Sequence, residues 1–181
     1  MFKEICATLL VLCSPILNGY DFNYAKDDRD HFVQGVAECT VTYNAFISPH
    51  ERVVVVLSVA QAIIESDWGT SRFAREANNF YGIIQTDKTE PHVKALGSNI
   101  LLKKYGRKCE SVADYVELLN NSSFFEGYRN LRMQQVLIEE VDVFALIDTL
   151  DAYAKDPKYQ AKLKDIVVSL LEDYPLLFKI N

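Results

Sequence analysis

The sequence contains little glycine and proline, with 7 and 5 of these residues among 181. So low a content excludes a collagen-like chain and a disordered chain rich in either residue. No repeat, low-complexity tract or linker divides the sequence, and 49% of its residues are apolar. We therefore expect one globular domain over residues 20–181, with enough apolar side chains for one sizeable core.

The sequence also lacks an excess of basic residues. Its 19 lysines and arginines are outnumbered by 25 aspartates and glutamates, which gives a formal net charge of −6. A protein that binds nucleic acid needs a clustered basic face, so we expect no nucleic-acid partner. An acidic protein also gains no long-range attraction to anionic polymers, and binding one would depend on short-range contacts.

The cysteines and histidines are few and scattered. The 4 cysteines and 3 histidines form no CxxC pair and no Cys/His cluster. We therefore expect no metal site and no cofactor. Cys39 and Cys109 can form a disulfide bond in an oxidising compartment, but two buried free thiols are an equally good interpretation, and the sequence leaves both open.

Residues 1–19 have two interpretations. The apolar run of residues 5–12 has a length typical of the hydrophobic core of a signal peptide. It is too short to cross a bilayer, so we expect no membrane span in the mature chain. However, Glu4 is unusual in such a leader, and no clear cleavage site follows the run. A first helix of the core is therefore the alternative.

A strong helix-start signal directly precedes the longest apolar stretch, residues 53–64. Ser48 is a favoured N-cap residue, and Pro49 is favoured at the first position of a helix. Glu51 would then occupy the third position, where a glutamate completes a capping box with the serine. The pattern predicts a helix that begins here and continues to Ser66. Because residues 53–64 are apolar almost all round, we expect this helix to be central and buried.

The remaining pattern is mainly helical. An aspartate at position 28 or 30 can cap a helix with apolar residues at spacings of three and four. Residues 83–109 differ, because they alternate in polarity and contain Pro91, and they predict a small β-hairpin lobe. Further helices are predicted at about residues 72–77, 111–120, 131–140, 143–153 and 157–174. The expected fold is thus mainly α, with six or seven helices and one small β element.

Glu65 is the candidate for chemistry. It lies at the C-terminal end of the predicted apolar helix, where burial and the partial negative charge of the helix end both raise a carboxyl pKa. A carboxyl group that is neutral near physiological pH can protonate a glycosidic oxygen. Trp68 and Gly69 follow, an aromatic and a turn suited to a sugar groove. The alternative is that Glu65 pairs with Arg72 or Arg75 and only ends the helix.

Two motifs resemble a known family. Residues 59–82 (VAQAIIESDWGTSRFAREANNFYG) are similar to the core motif of the bacterial glucosaminidases. These are peptidoglycan hydrolases of glycoside hydrolase family 73, also called mannosyl-glycoprotein endo-β-N-acetylglucosaminidase-like. Residues 153–159 (YAKDPKY) resemble a second motif of the family, in the expected order. The resemblance covers roughly residues 30–172, and residues 124–132 look most like the Bax-like branch.

The resemblance implies a lysozyme-like fold with Glu65 as the general acid. It also implies that Tyr153 and Tyr159 reach the groove, where a tyrosine hydroxyl can position water or stabilise an oxocarbenium-like transition state. Core packing beside Pro157 is the alternative for both tyrosines. The expected substrate-binding residues are Trp68, which is either a sugar platform or a core anchor, and three residues that shape the groove floor. These three are Asn79, Phe80 and Gly82.

The sequence departs from the family pattern in one respect. The family often has a second carboxylate in the β-lobe, but residues 95–105 contain no aspartate or glutamate. The acetamido oxygen of an N-acetyl sugar can itself attack the anomeric carbon, a route that needs only one protein acid. We expect this substrate-assisted route, with Glu90 as the first candidate for an assisting catalytic carboxylate and Asp87 and Glu110 also nearby.

The implied function is an endo-β-N-acetylglucosaminidase that cleaves the glycan strands of peptidoglycan at the GlcNAc-MurNAc linkage. A muramidase or lytic transglycosylase on the same fold is the alternative enzyme, because the fold and the acid do not fix which bond is cut. A non-catalytic glycan-binding module of an envelope or virion is the alternative from another class. A leader would place the protein in the periplasm, in the cell envelope or outside the cell. A packed N-terminal helix would favour a phage lysin.

Overall fold

The structure, a computed structural model, describes residues 21–178, so the two interpretations of residues 1–19 lie outside the described residues. This part of the chain contains seven α-helices and one two-stranded sheet. The elements are α1 (Arg29–Asn44), α2 (Val55–Ser66), α3 (Arg72–Ala77), β1 (His92–Lys94), β2 (Leu101–Lys103), α4 (Lys108–Asn121), α5 (Glu126–Leu137), α6 (Val143–Asp148) and α7 (Tyr159–Asp173). The mainly helical class with a small β element is confirmed.

Helix α2 forms the centre of the fold. Almost all of its residues are buried, and it packs against α1 on one side and α7 on the other. Each fully buried aliphatic side chain contributes about 1.5–3 kcal/mol. The apolar sequence of α2 therefore fixes its position, and through it the position of Glu65 at the end of the helix.

The prediction of one helix starting at Ser48 is wrong. Ser48 begins only a 3₁₀ turn, Pro49–Glu51, and α2 starts later, at Val55. The cause is the buried side chain of Asn44, whose amide donates to the carbonyl of Val53 at 2.8 Å and accepts from its N–H at 3.1 Å. These two bonds hold Val53 in an extended segment, because they replace the bonds that a continuous helix would make there.

The predicted β-hairpin lobe is confirmed. Strands β1 and β2 are antiparallel, with Val93 opposite Leu102, and an isolated bridge joins Ile84 to the same leucine. The connection contains Gly97 at a φ of 70°, a left-handed conformation that glycine adopts without strain. The lobe ends earlier than expected, because α4 begins at Lys108.

A disulfide bond joins Cys39 of α1 to Cys109 of α4, with their Cα atoms 5.3 Å apart. Both residues are buried. Of the two interpretations that the sequence left open, the interpretation as free thiols is therefore wrong.

Candidate active site

Glu65 lies in the last turn of α2 and is partly buried. Burial raises the pKa of its carboxyl, and a hydrogen bond from Tyr159 opposes this shift without cancelling it. Within residues 21–178, Glu65 forms no ion pair, and Arg72 instead pairs with Glu76 at 2.9 Å. The alternative interpretation, in which Arg72 or Arg75 pairs with Glu65 at the helix end, is therefore wrong.

The two motif tyrosines come to Glu65 from the other end of the chain. Tyr159 is the first residue of α7, and its hydroxyl lies beside the Glu65 carboxyl, where it lowers the pKa of the acid against the effect of burial. The ring of Tyr153 stacks on that of Tyr159, and its hydroxyl donates to the carbonyl of Tyr81 at 3.2 Å. Burial and the nearby Glu65 raise the pKa of both tyrosines well above the usual value, so both hydroxyls stay protonated.

Beneath Tyr159 lies a buried polar pair that the sequence analysis did not select. Gln61 donates from Nε2 to the Tyr159 hydroxyl at 2.9 Å, and its Oε1 accepts from the hydroxyl of Tyr115. Tyr115 in turn stacks face to face on Tyr81, with centroids 4.1 Å apart. A signal was available, because Gln61 is a polar residue in an apolar helix, one turn before Glu65 and on the same face.

The turn after α3 supports the site from below. The side chain of Asn79 accepts from the N–H of Ile83 and donates to the carbonyls of Ile83 and Lys103, each bond 3.0–3.1 Å long. Phe80 is fully buried in the core. These bonds and this burial fix the turn beside the site, and the role of the two residues in a groove floor stays a prediction. Gly82, at a φ of 66°, brings the backbone close to the acid, since a Cβ there would lie 3.8 Å from Oε2 of Glu65.

The chain turns sharply after α2. Asp67, Trp68 and Gly69 have φ values of 51°, 56° and 73°, all left-handed. The guanidinium of Arg29 lies 4.4 Å from the centre of the Trp68 ring, and the half-buried indole packs against the core. These contacts support the role of Trp68 as a core anchor, and its role as a sugar platform stays a prediction.

The candidate assisting carboxylate lies apart from these contacts. Glu90 is exposed in the turn before β1, and within the described residues its carboxylate forms no hydrogen bond or ion pair. The neighbouring Asp87 accepts bonds from the N–H and the hydroxyl of Thr89, at 2.8 and 2.7 Å. The structure therefore brings Glu65, Tyr153 and Tyr159 together and does not join Glu90 to them by contact.

A cavity of about 620 Å³ adjoins the two motif tyrosines. It is lined by residues 150–157 together with Tyr159 and Gln160. This volume lies within the range of small-molecule sites in proteins. Across the described part of the chain, no group of three or more His, Cys, Asp or Glu side chains could hold a metal ion.

Together, the central helix, the carboxyl at its end and the small β-lobe define a lysozyme-like domain. The family model described as "Mannosyl-glycoprotein endo-beta-N-acetylglucosaminidase" matches residues 47–172. This match covers more than half of the chain, which therefore belongs to the glucosaminidase family, as its two motifs indicated.

The chain is similar to the exo-glucosaminidase LytG of Bacillus subtilis, with 29% identity over 123 residues, 61% of this chain and 42% of LytG. It is also similar to the protein bax of Escherichia coli, with 27% identity over 121 residues, 65% of this chain and 43% of bax. The chain thus spans less than half the length of these relatives. Its fold resembles the catalytic domain of the autolysin Auto from Listeria monocytogenes, with a TM-score of 0.60 and 18% identity over 96% of this chain and 97% of that one. It also resembles a peptidoglycan hydrolase from Sphingomonas sp. A1, with a TM-score of 0.63 and 20% identity over 83% and 95%.

Proposed function

We propose that this protein is an endo-β-N-acetylglucosaminidase that hydrolyses the GlcNAc-MurNAc linkage of peptidoglycan, with Glu65 as the general acid. One observation carries the proposal. In a chain of the glucosaminidase family, burial raises the pKa of the Glu65 carboxyl while Tyr159 binds it. The names of the similar proteins, which include a peptidoglycan hydrolase and an exo-glucosaminidase, support peptidoglycan as the substrate.

In the proposed reaction, neutral Glu65 gives its proton to the glycosidic oxygen as the bond to the anomeric carbon breaks. The acetamido oxygen of the GlcNAc residue attacks that carbon and forms a cyclic oxazolinium ion. Glu65, now a carboxylate, then takes a proton from a water molecule that attacks the same carbon and reopens the ring. The cycle restores neutral Glu65 and leaves a GlcNAc reducing end.

Tyr159 assists by keeping its proton. Because its pKa is far above physiological pH, its hydroxyl remains a donor throughout the cycle. A donor beside Glu65 stabilises the carboxylate that forms when the acid has given up its proton.

The disulfide between Cys39 and Cys109 supports a location outside the cytoplasm, because such bonds form and persist in oxidising compartments. We therefore place the protein in the periplasm, in the cell envelope or outside the cell, with a phage virion as the alternative. No helix within residues 21–178 has the length and apolar character needed to cross a membrane.

The test is digestion of purified peptidoglycan by wild type, by Glu65→Gln and by a control, Glu172→Gln, which changes an exposed carboxyl near the end of α7. Mass spectrometry identifies the new reducing ends. We expect GlcNAc ends from wild type and the control only, with long fragments appearing early, as internal cleavage requires. Release of terminal units alone would make the enzyme exo-acting.

Other products would assign the enzyme to a different class. MurNAc ends would indicate a muramidase, and anhydro-MurNAc ends a lytic transglycosylase. Absence of products from all three proteins, with binding to the glycan retained, would indicate a non-catalytic module.

A further inference from the structure

We infer that Gln61 is a positioning residue, which holds the hydroxyl of Tyr159 as a donor to Glu65 and so presents the acid in one orientation. The inference deepens the proposed function and rests on it for its catalytic consequence. Its structural basis is a chain of hydrogen bonds from Tyr115 through Gln61 to Tyr159, whose hydroxyl lies beside the acid.

Gln61 and Glu65 lie one turn apart on the same face of α2. Tyr159 comes from α7, 98 positions after Gln61, and its hydroxyl accepts from Gln61 at 2.9 Å and lies beside the Glu65 carboxyl, whose pKa it lowers. The two helices pack directly against each other. The Tyr159 hydroxyl therefore lies against two successive turns of α2, one that carries Gln61 and one that carries Glu65.

The direction of these bonds follows from what each group can donate. The hydroxyl of Tyr115 donates to Oε1 of Gln61, which leaves the amide nitrogen facing Tyr159. An amide NH₂ can only donate, so the Tyr159 oxygen must accept from it. A hydroxyl carries one proton, and the proton of Tyr159 is thereby left for the Glu65 carboxyl.

This arrangement selects one oxygen of the acid. The Glu65 oxygen that accepts from Tyr159 is the weaker base, so the acidic proton resides on the other oxygen. The titratable groups around Glu65 are Tyr159 of α7 and Tyr153 of the preceding loop, and neither carries a charge at physiological pH. Among residues 21–178, no charged group shifts the pKa of Glu65, and the proton on the acid is therefore governed by burial and by Tyr159.

Both polar atoms of the buried Gln61 amide are hydrogen-bonded. Its side chain is completely buried, and a buried amide is tolerated only when its polar atoms are bonded. Both tyrosine partners, Tyr115 and Tyr159, are themselves buried. A hydroxyl that accepts a hydrogen bond becomes a stronger donor, so the bond from Gln61 strengthens the donation by Tyr159.

The test compares Gln61→Met, which keeps the length of the side chain but cannot donate, with Tyr159→Phe and with the double variant. The pKa of Glu65 is measured by carbon NMR of its labelled carboxyl, and kcat and KM are measured against pH. We expect Gln61→Met to raise the Glu65 pKa, to move the alkaline limb of kcat to higher pH, and to lower kcat roughly tenfold with KM unchanged. Tyr159→Phe should raise the Glu65 pKa and lower kcat by more than Gln61→Met does. The double variant should have the same Glu65 pKa and kcat as Tyr159→Phe alone.

Gln135→Met is the matched control. Gln135 is a buried glutamine of α5 whose amide makes two bonds to the backbone of Asp142, each 3.2 Å long. We expect this variant to lose stability as Gln61→Met does, with the Glu65 pKa and the pH profile unchanged. If Gln61→Met fails to fold, Tyr115→Phe removes the anchor of the same amide and should raise the Glu65 pKa by a smaller amount.

An unchanged Glu65 pKa in a folded Gln61→Met variant would overturn the inference, as would additive losses of kcat in the double variant. The NMR titration needs no turnover. A wild-type protein that does not cleave peptidoglycan would therefore defeat the proposed function, while the coupling of Gln61, Tyr159 and Glu65 would still be decided.

Discussion

The rings of Tyr153 and Tyr159 lie parallel, with centroids 5.8 Å apart and planes 10° apart, yet their hydroxyls have different partners. The Tyr153 hydroxyl donates to the backbone carbonyl of Tyr81, whereas the Tyr159 hydroxyl meets the Glu65 carboxyl. Two tyrosines of one sequence motif therefore divide their tasks. Tyr153 fixes the turn after α3, and Tyr159 contacts the acid.

Conservative substitution of each tyrosine should separate these tasks. Tyr153→Phe keeps the ring stack and loses one hydrogen bond to backbone, so we expect about 1 kcal/mol less stability and a kcat within about threefold of wild type. Tyr159→Phe removes the donor to Glu65, and we expect kcat to fall by at least about tenfold. Urea unfolding and steady-state kinetics measure the two effects. Equal losses of kcat in both variants would contradict the division of tasks.

Glu65 is expected to lower the stability of the folded protein at neutral pH. Burial raises its pKa in the folded state, so the folded protein holds this proton more tightly than the unfolded chain. Stability is then lost as the pH rises from the unfolded-state pKa through the raised one. Glu65→Gln stays neutral, and we expect a melting temperature above that of wild type at about pH 8 but similar to it at about pH 4. Scanning calorimetry at both values checks this, and a variant that melts lower at both would refute it.

Two left-handed glycines provide a matched pair. Gly82 and Gly97 have φ values of 66° and 70°, so alanine at either position should cost roughly 1 kcal/mol of stability. Only at Gly82 would the added methyl lie beside the acid, 3.8 Å from Oε2 of Glu65, whereas at Gly97 it meets nothing within 4 Å. We expect Gly82→Ala to lower kcat and Gly97→Ala to leave it unchanged. Loss of activity in both variants would show that backbone strain, not the contact, is responsible.

The assisting carboxylate can be tested at two neighbouring positions. We expect Glu90→Gln to lower kcat, because Glu90 is the candidate that orients the acetamido group. Asp87→Asn should leave kcat unchanged, since the bonds to Thr89 occupy that carboxylate and lower its pKa. Kinetics on soluble glycan fragments measure both. A fully active Glu90→Gln beside an inactive Glu65→Gln would instead establish a mechanism with one protein carboxylate.

The disulfide bond should contribute stability without contributing to the chemistry. It closes a loop of 70 residues, and in the chain-entropy description such a loop is worth about 4 kcal/mol. We expect a reductant to lower the melting temperature of wild type and to have no effect on the double variant Cys39→Ala, Cys109→Ala. Below its own melting temperature, the double variant should keep the kcat of wild type. A reduced kcat there would show that the bond also shapes the site.

Local sequence patterns identified the parts of the site that depend on local structure. The apolar run placed Glu65 at the end of a buried helix, and the second motif placed Tyr159 at the start of another. The contact between Gln61 and Tyr159 could not be predicted in this way, because the two residues are 98 positions apart and meet only when their helices pack. The predicted start of α2 was wrong for a similar reason. The side chain of Asn44, which is distant from the helix start in sequence, decides where the helix begins.

The disulfide illustrates the same limit. Both cysteines were recognised as a possible pair, but a bond requires their Cα atoms to come within about 7 Å, and only the packing of α1 against α4 achieves that.

The wide separation of Glu65 and Tyr159 along the chain has a consequence for biosynthesis. A ribosome completes the acid-bearing helix long before it reaches α7, so an emerging chain carries the acid without its partner. Contacts between such distant positions form late, because closing a long loop is entropically costly. The contact between Tyr159 and the acid therefore cannot form before α7 has been synthesised, and a chain cut before α7 holds Glu65 in a helix without its tyrosine partner.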